Sequence, residues 1–191
     1  MEAHRGVRNR FGGYALNRFN VKIDVWHIED TWARTAGFAA VTKPSDLLHC
    51  TFFDWDSVVY ELGTGKLILP PDYFERLSLN LMDIRLEVNP NPIGSLVRAL
   101  RRAALWHVKF GPKLTMFCRR FLHETDWADL VSLDRRAFSR PILQHLERDH
   151  LLDRLDRYCS TPLGAATLPV PEPQLSLPLL SNEATSISPL F

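Results

Sequence analysis

Val21-Lys22-Ile23-Asp24-Val25-Trp26-His27-Ile28, followed by Asp30-Thr31-Trp32, sets one carboxylate among residues that favour strands. Valine, isoleucine and tryptophan suit a pleated, half-buried surface, so the run predicts a β-strand over 19–28. An aspartate in such a strand must be solvated, paired or bound to a cation, because an isolated buried charge is too costly. Asp24 is therefore a candidate metal ligand, with a hydrogen-bonded strand aspartate as the plain alternative.

The chain around this strand has an ordinary globular composition. It has 191 residues, 46% apolar and 24% charged, which is enough to bury a core. No apolar run approaches a membrane span, and Met1-Glu2-Ala3-His4-Arg5 leads into no signal-peptide core. Cys50, Cys118 and Cys159 are odd in number and far apart, without metal spacing. They read as reduced thiols of a cytoplasmic protein.

The net charge of +1 conceals an asymmetry. All 23 lysines and arginines lie within residues 1–157 with 20 of the 22 acids, so that body is +3. Between Val88 and His123 stand Arg98, Arg101, Arg102, Lys109, Lys113, Arg119 and Arg120, with no acid. A surplus of this kind suits a polyanion such as nucleotide or RNA. A solvated helix face beside a compensating acidic one is the competing explanation.

Punctuation divides the rest. Phe11-Gly12-Gly13-Tyr14 predicts a turn into a hairpin. Phe52–Leu62 predicts a helix start or a buried strand, and Gly63-Thr64-Gly65 turns the chain into a short strand at 66–69. Pro70-Pro71-Asp72 predicts a helix start, running to about Met82. Ile84–Val88 is strand-like, and Asn89-Pro90-Asn91-Pro92 is a breaker. From Ile93, Leu96, Val97, Leu100, Ala103, Ala104 and Val108 recur at helical spacing up to Gly111-Pro112. Further helices are expected at 113–123, 127–137 and 141–158. Residues 158–191 hold no Lys or Arg and are rich in Pro, Leu and Ser, which predicts a disordered tail.

Three phrases, in order, resemble the poly(A) polymerase and tRNA nucleotidyltransferase family of the polymerase-beta-like superfamily. They are Ile23-Asp24-Val25-Trp26, Thr51-Phe52-Phe53-Asp54-Trp55-Asp56-Ser57-Val58-Val59-Tyr60-Glu61-Leu62, and Leu96-Val97-Arg98-Ala99-Leu100-Arg101. The resemblance covers roughly residues 10–123. It implies an α+β fold: a partial nucleotidyltransferase head with a small mixed sheet at 1–89, a helical neck at 90–157, and the tail. It also implies metal-dependent addition of nucleotides to RNA 3′ ends, with Mg²⁺ held by carboxylates on adjacent strands. Asp24 would be the third carboxylate, catalytic and metal-binding. Arg98 and Arg101 would contact nucleotide, since guanidinium offers a rigid fork of donors.

Two departures matter. The family's paired D-x-D should precede the Asp24 strand, yet Glu2 is the only acid before it. The resemblance therefore implies a head lacking its first strands, by truncation, a wrong start codon or a split gene, and inactive as this chain. Asp54-Trp55-Asp56 spells D-x-D in a different block. Gly94 and Ser95 stand where the family has an acidic pair.

Other constellations are incidental on spacing. Glu147 and His150 have a di-iron spacing without the further ligands such a site needs. His49 and Cys50 are adjacent, and adjacent residues do not face each other in regular structure. In the tail, Gln174-Leu175-Ser176-Leu177-Pro178-Leu179 resembles the peptide by which bacterial polymerases dock on the replication sliding clamp, with Gln174, Leu175, Leu177 and Leu179 as contact residues. The alternative function is thus a non-catalytic nucleic-acid or partner-binding module recruited to that clamp.

Overall fold

The computed structural model describes residues 7–8, 13–18 and 21–159. The fold is mixed α+β, with short strands and a predominantly helical body. β1 (Val7–Arg8), β2 (Tyr14–Arg18) and β3 (Val21–Val25) form an antiparallel sheet in that order. Tyr14 lies opposite Val25, Ala15 opposite Asp24 and Leu16 opposite Ile23. Of the expected strand at 19–28, residues 21–25 are strand, and residues 19 and 20 lie outside the described ones. A short helical turn, α1 (Trp32–Thr35), follows.

The 52–62 segment is neither a helix nor a long strand. A 3-10 turn at Asp54–Asp56 leads into β4 (Val59–Glu61), which pairs with β5 (Lys66–Ile68) across the Gly63-Thr64-Gly65 turn. Gly65 has φ +67°, the left-handed region that glycine enters without steric cost. The helix after Pro70-Pro71 is α2 (Tyr73–Ser78), shorter than expected. It stops because Asn80 turns left-handed (φ 56°) to start β6 (Leu81–Met82). The segment expected as a strand at 84–88 makes one isolated antiparallel bridge, Ile84 with Phe53. Arg85 and Leu86 donate to the carbonyls of Phe52 and Thr51 at 2.8 and 3.1 Å.

α3 (Pro92–Trp106) begins where the breaker ends. The Asn91 side chain accepts from Gly94 N at 3.0 Å, an N-cap with proline at the first helical position. The helix does not reach Gly111, contrary to its apolar spacing. It ends at His107 in the left-handed conformation, and Lys109–Phe110 becomes β7, parallel to β6. Val108 is buried as part of that crossing and not on a helix face. α4 (Pro112–Glu124) and α5 (Trp127–Ala137) follow close to their expected bounds. The last expected helix is split: a 3-10 turn at Leu143–His145, then α6 (Arg148–Cys159). Of the tail expected at 158–191, Tyr158 and Cys159 end α6, and the rest lies outside the described residues.

One core joins the two expected regions. Phe53, Met82 and Ile84 pack with Leu96, Leu100, Leu114, Leu122 and Leu143. Residue 89 is therefore not a break in packing. No described residue of β1–β3 belongs to this cluster. No described helix is long and apolar enough to cross a membrane.

Carboxylates fix the loops between these elements. Asp134, fully buried on α5, accepts from Arg101 Nη1 at 2.6 Å and from the backbone N of Ile142 and Leu143 at 2.7 and 2.9 Å. Asp83 accepts from Leu114 N at 2.7 Å and so satisfies an orphan donor in the first turn of α4. A Cβ on Gly111 would come within 2.4 Å of that carboxylate. Removing one partner of a buried ion pair costs about 3–5 kcal/mol. Asp134→Ala is expected to lose stability on that scale, measured by urea unfolding, whereas the exposed Asp129→Ala on the same helix should change it little.

Candidate functional site

The residues expected to meet nucleotide and metal are dispersed. Asp24 lies exposed on β3, opposite Ala15. Asp54 is 7% exposed, and its carboxylate accepts from Arg76 Nε at 2.5 Å and from Asp83 N at 2.9 Å. Burial outweighs Arg76 and pushes the Asp54 carboxyl above its ordinary range. Asp56 accepts from Arg102 Nη2 at 2.8 Å. The D-x-D spelling is thus a bracket for α2 and α3. Between its two carboxylates, Trp55 donates to the Leu81 carbonyl at 2.8 Å and accepts from the Tyr73 hydroxyl at 2.9 Å through its own carbonyl.

Magnesium requires several oxygen ligands in near-octahedral array. Asp24 lies opposite Ala15 in the sheet, Asp54 meets Arg76 and Asp56 meets Arg102. Among the described residues no three His, Cys, Asp or Glu side chains form a group able to hold a metal. The described residues do not assemble a two-metal site.

The arginines divide differently from their sequence grouping. Arg101 turns towards α5, where it meets Asp134, the Arg140 carbonyl at 3.0 Å and the Phe138 ring at 3.9 Å. Its side chain is only 11% exposed, so it is placed to hold the core and not to greet a ligand. Arg98 instead groups with Arg102, one helical turn away. Both guanidinium groups lie over the Phe53 ring, at 5.4 and 4.6 Å. Arg98 is exposed, and its Nη2 donates to the buried Ser95 hydroxyl at 2.8 Å. Partial desolvation, and then Arg102 against the opposing pull of Asp56, lower its pKa from the usual arginine value. It stays cationic at neutral pH.

Ser95 and Phe53 are the residues that sequence reasoning missed. Ser95 precedes Arg98 by one helical turn, a spacing visible in the sequence. Phe53 comes from a distant segment and has no such signal. The basic run at 88–123 is largely neutralised: Arg101 pairs with Asp134, Arg102 with Asp56, Lys113 with Glu87 and Arg119 with Asp156. The compensating acids come from other elements.

The remaining constellations are accounted for. Glu147 and His150 form an exposed contact at 3.4 Å. His49 and Cys50 end a 3-10 turn, and the Cys50 thiol points to the Asp46 carbonyl at 3.6 Å. Gln174, Leu175, Leu177 and Leu179 lie outside the described residues.

No protein-family model, curated protein or solved structure matches this chain.

Burial, aided by Asp46, raises the Cys50 pKa, and burial drives that of Cys118 far higher. A raised thiol pKa means less thiolate at neutral pH. Iodoacetamide should therefore alkylate Cys50 more slowly than an unstructured cysteine peptide, and Cys118 only after unfolding. Peptide mass mapping checks both, and fast native labelling of Cys50 would restore it as a nucleophile candidate.

Proposed function

We propose that this chain is a nucleotide- or RNA-binding relative of the nucleotidyltransferases that binds without transferring. It would act in the cytoplasm, where its thiols stay reduced. The observation that carries the reading is Arg98: an exposed guanidinium held over Phe53 and by Ser95, on the helix whose sequence resembles the family's nucleotide-contacting helix. Its neighbours Arg101 and Arg102 are spent on Asp134 and Asp56, which leaves Arg98 as the cation of this face best placed for phosphate or a base edge. A guanidinium ordered before binding loses less freedom when it meets its ligand. Mg²⁺-dependent transfer through Asp24 would need further oxygen ligands beyond those the described residues assemble around it.

Filter binding with labelled ATP, CTP and a short RNA tests the proposal. A charge-assisted contact is worth about 1.5–3 kcal/mol, so Arg98→Ala should weaken binding roughly tenfold or more in protein that circular dichroism shows to be folded. Arg98→Lys should recover only part of the affinity, because a point charge replaces a fork. Binding indifferent to both substitutions would overturn the proposal. In the same samples, no labelled AMP or CMP should enter RNA with Mg²⁺ present. Incorporation abolished by Asp24→Asn would establish an enzyme instead.

The tail supports a second reading, because Gln174-Leu175-Ser176-Leu177-Pro178-Leu179 spells the clamp-docking peptide. Pull-down by purified bacterial sliding clamp should then be lost with Gln174→Ala plus Leu177→Ala.

A further inference from the structure

Asp134 and Arg101 cancel each other's charge inside the molecule, and the segment that follows Asp134 is cationic. Residues 135–146 carry Arg135, Arg136, Arg140 and His145 and no Asp or Glu. The three arginines are exposed, and among the described residues none of them forms an ion pair. The positions three and four residues before Arg135 and Arg136 on α5 are Val131, Ser132 and Leu133, so no acid of the same helix face meets them. Arg135 and Arg136 lie in the last turn of α5. That place suits the helix dipole, a small effect that falls off within one turn and does not extend to Arg140.

The same segment is held in place from beneath. Asp134 accepts from the backbone N of Ile142 and Leu143. Arg101 donates to the Arg140 carbonyl at 3.0 Å and lies over the Phe138 ring. Arg135 donates through Nε and Nη2 to Gln144 Oε1 at 3.1 and 2.9 Å, and Gln144 Nε2 is 3.0 Å from His145 Nε2. A neutral amide orients the Arg135 guanidinium without cancelling its charge. Groups ordered before binding lose less freedom when they meet a ligand.

We infer that Arg135, Arg136 and Arg140 form a track for the phosphodiester backbone of RNA. The make-up of the surface selects that partner. Among the described residues no exposed large hydrophobic side chain lies beyond Met116. A protein partner needs an apolar or aromatic centre to its interface, and a membrane surface needs apolar residues to bury. Interfaces with nucleic acid are polar and strongly positive, and a guanidinium fork matches phosphate oxygens. Arg101 connects the track to the Arg98 site, since it stands one helical turn from Arg98 and touches the loop at 138–140. The inference extends the RNA reading of Arg98 to a second surface and rests on that reading for the choice of RNA over DNA.

Fluorescence anisotropy of labelled oligo(U) with the full chain, over a series of salt concentrations, tests it. Each phosphate neutralised on a single strand contributes about −0.7 to the slope of log affinity against log salt. Arg135→Gln, Arg136→Gln and Arg140→Gln should each flatten the slope by about that amount. Arg136→Lys and Arg140→Lys should keep it, because neutralisation needs only the charge. Oligo(A) should respond as oligo(U) does, since backbone contacts read no sequence. Lys113→Gln removes the same charge from a residue already paired with Glu87 and should leave the slope unchanged. Absence of oligo(U) binding, slopes unmoved by the arginine changes, or slopes moved equally by Lys113→Gln would overturn the inference. Polyglutamate displacing RNA as well as unlabelled oligo(U) would assign the track to an acidic protein instead. Pelleting with phosphatidylserine vesicles would assign it to a membrane, and tighter binding of oligo(dT) than of oligo(U) would assign it to DNA. Arg98→Ala is read on ATP, which is too short to reach the track, so either reading can fail alone.

Discussion

The carboxylate of Asp134 is sealed from solvent and touches three things at once: the Arg101 guanidinium on α3, and two backbone N–H groups that open the turn at 142–145. Taking both charges out of water costs several kcal/mol per ion, and good geometry must offset it. The offset is visible here, since Arg101 also reaches the Arg140 carbonyl and lies against Phe138. The pair sets the angle between α3 and α5 and pins the turn that delivers Leu143 to the core. Apolar packing alone would tolerate several such arrangements, because it is non-directional.

The same device recurs where the chain has little regular ladder. β6 and β7 are two residues each, so the loops around them have backbone donors to satisfy. Asp83 supplies an acceptor to the first turn of α4, and Asp54 supplies one to Asp83 N. Asn80 serves the other end of the crossover, donating to the carbonyls of Trp106 and His107 at the C-terminus of α3. Aspartates that spell a metal motif are in this way consumed by architecture. So are three of the five arginines that make residues 88–123 look like a polyanion-binding surface, Arg101, Arg102 and Arg119.

What is left for function follows by subtraction. On α3, Arg102 and Arg101 point to opposite partners, Asp56 and Asp134, while Arg98 lies between Ser95, Phe53 and solvent. No described residue of the β1–β3 sheet belongs to the main core.

The sequence by itself determined the α+β class, the β3 strand, the short strand after the Gly63-Thr64-Gly65 turn, and helices beginning near residues 93, 113 and 127. Those signals are local: apolar spacing, an asparagine cap, prolines at first helical positions, and glycines in turns. Only the tertiary structure decided that Lys109–Phe110 leaves the helical pattern. Its strand partner, Leu81–Met82, lies on the far side of α3 in the chain, and that long-range pairing overrides a helical apolar spacing. Tertiary structure also decided which charges are spent. Asp54, Asp56, Arg101 and Arg102 look alike in sequence, and whether a charge faces water or a partner depends on elements dozens of residues away. The energy that settles the choice, desolvation against pairing, exists only once those elements meet.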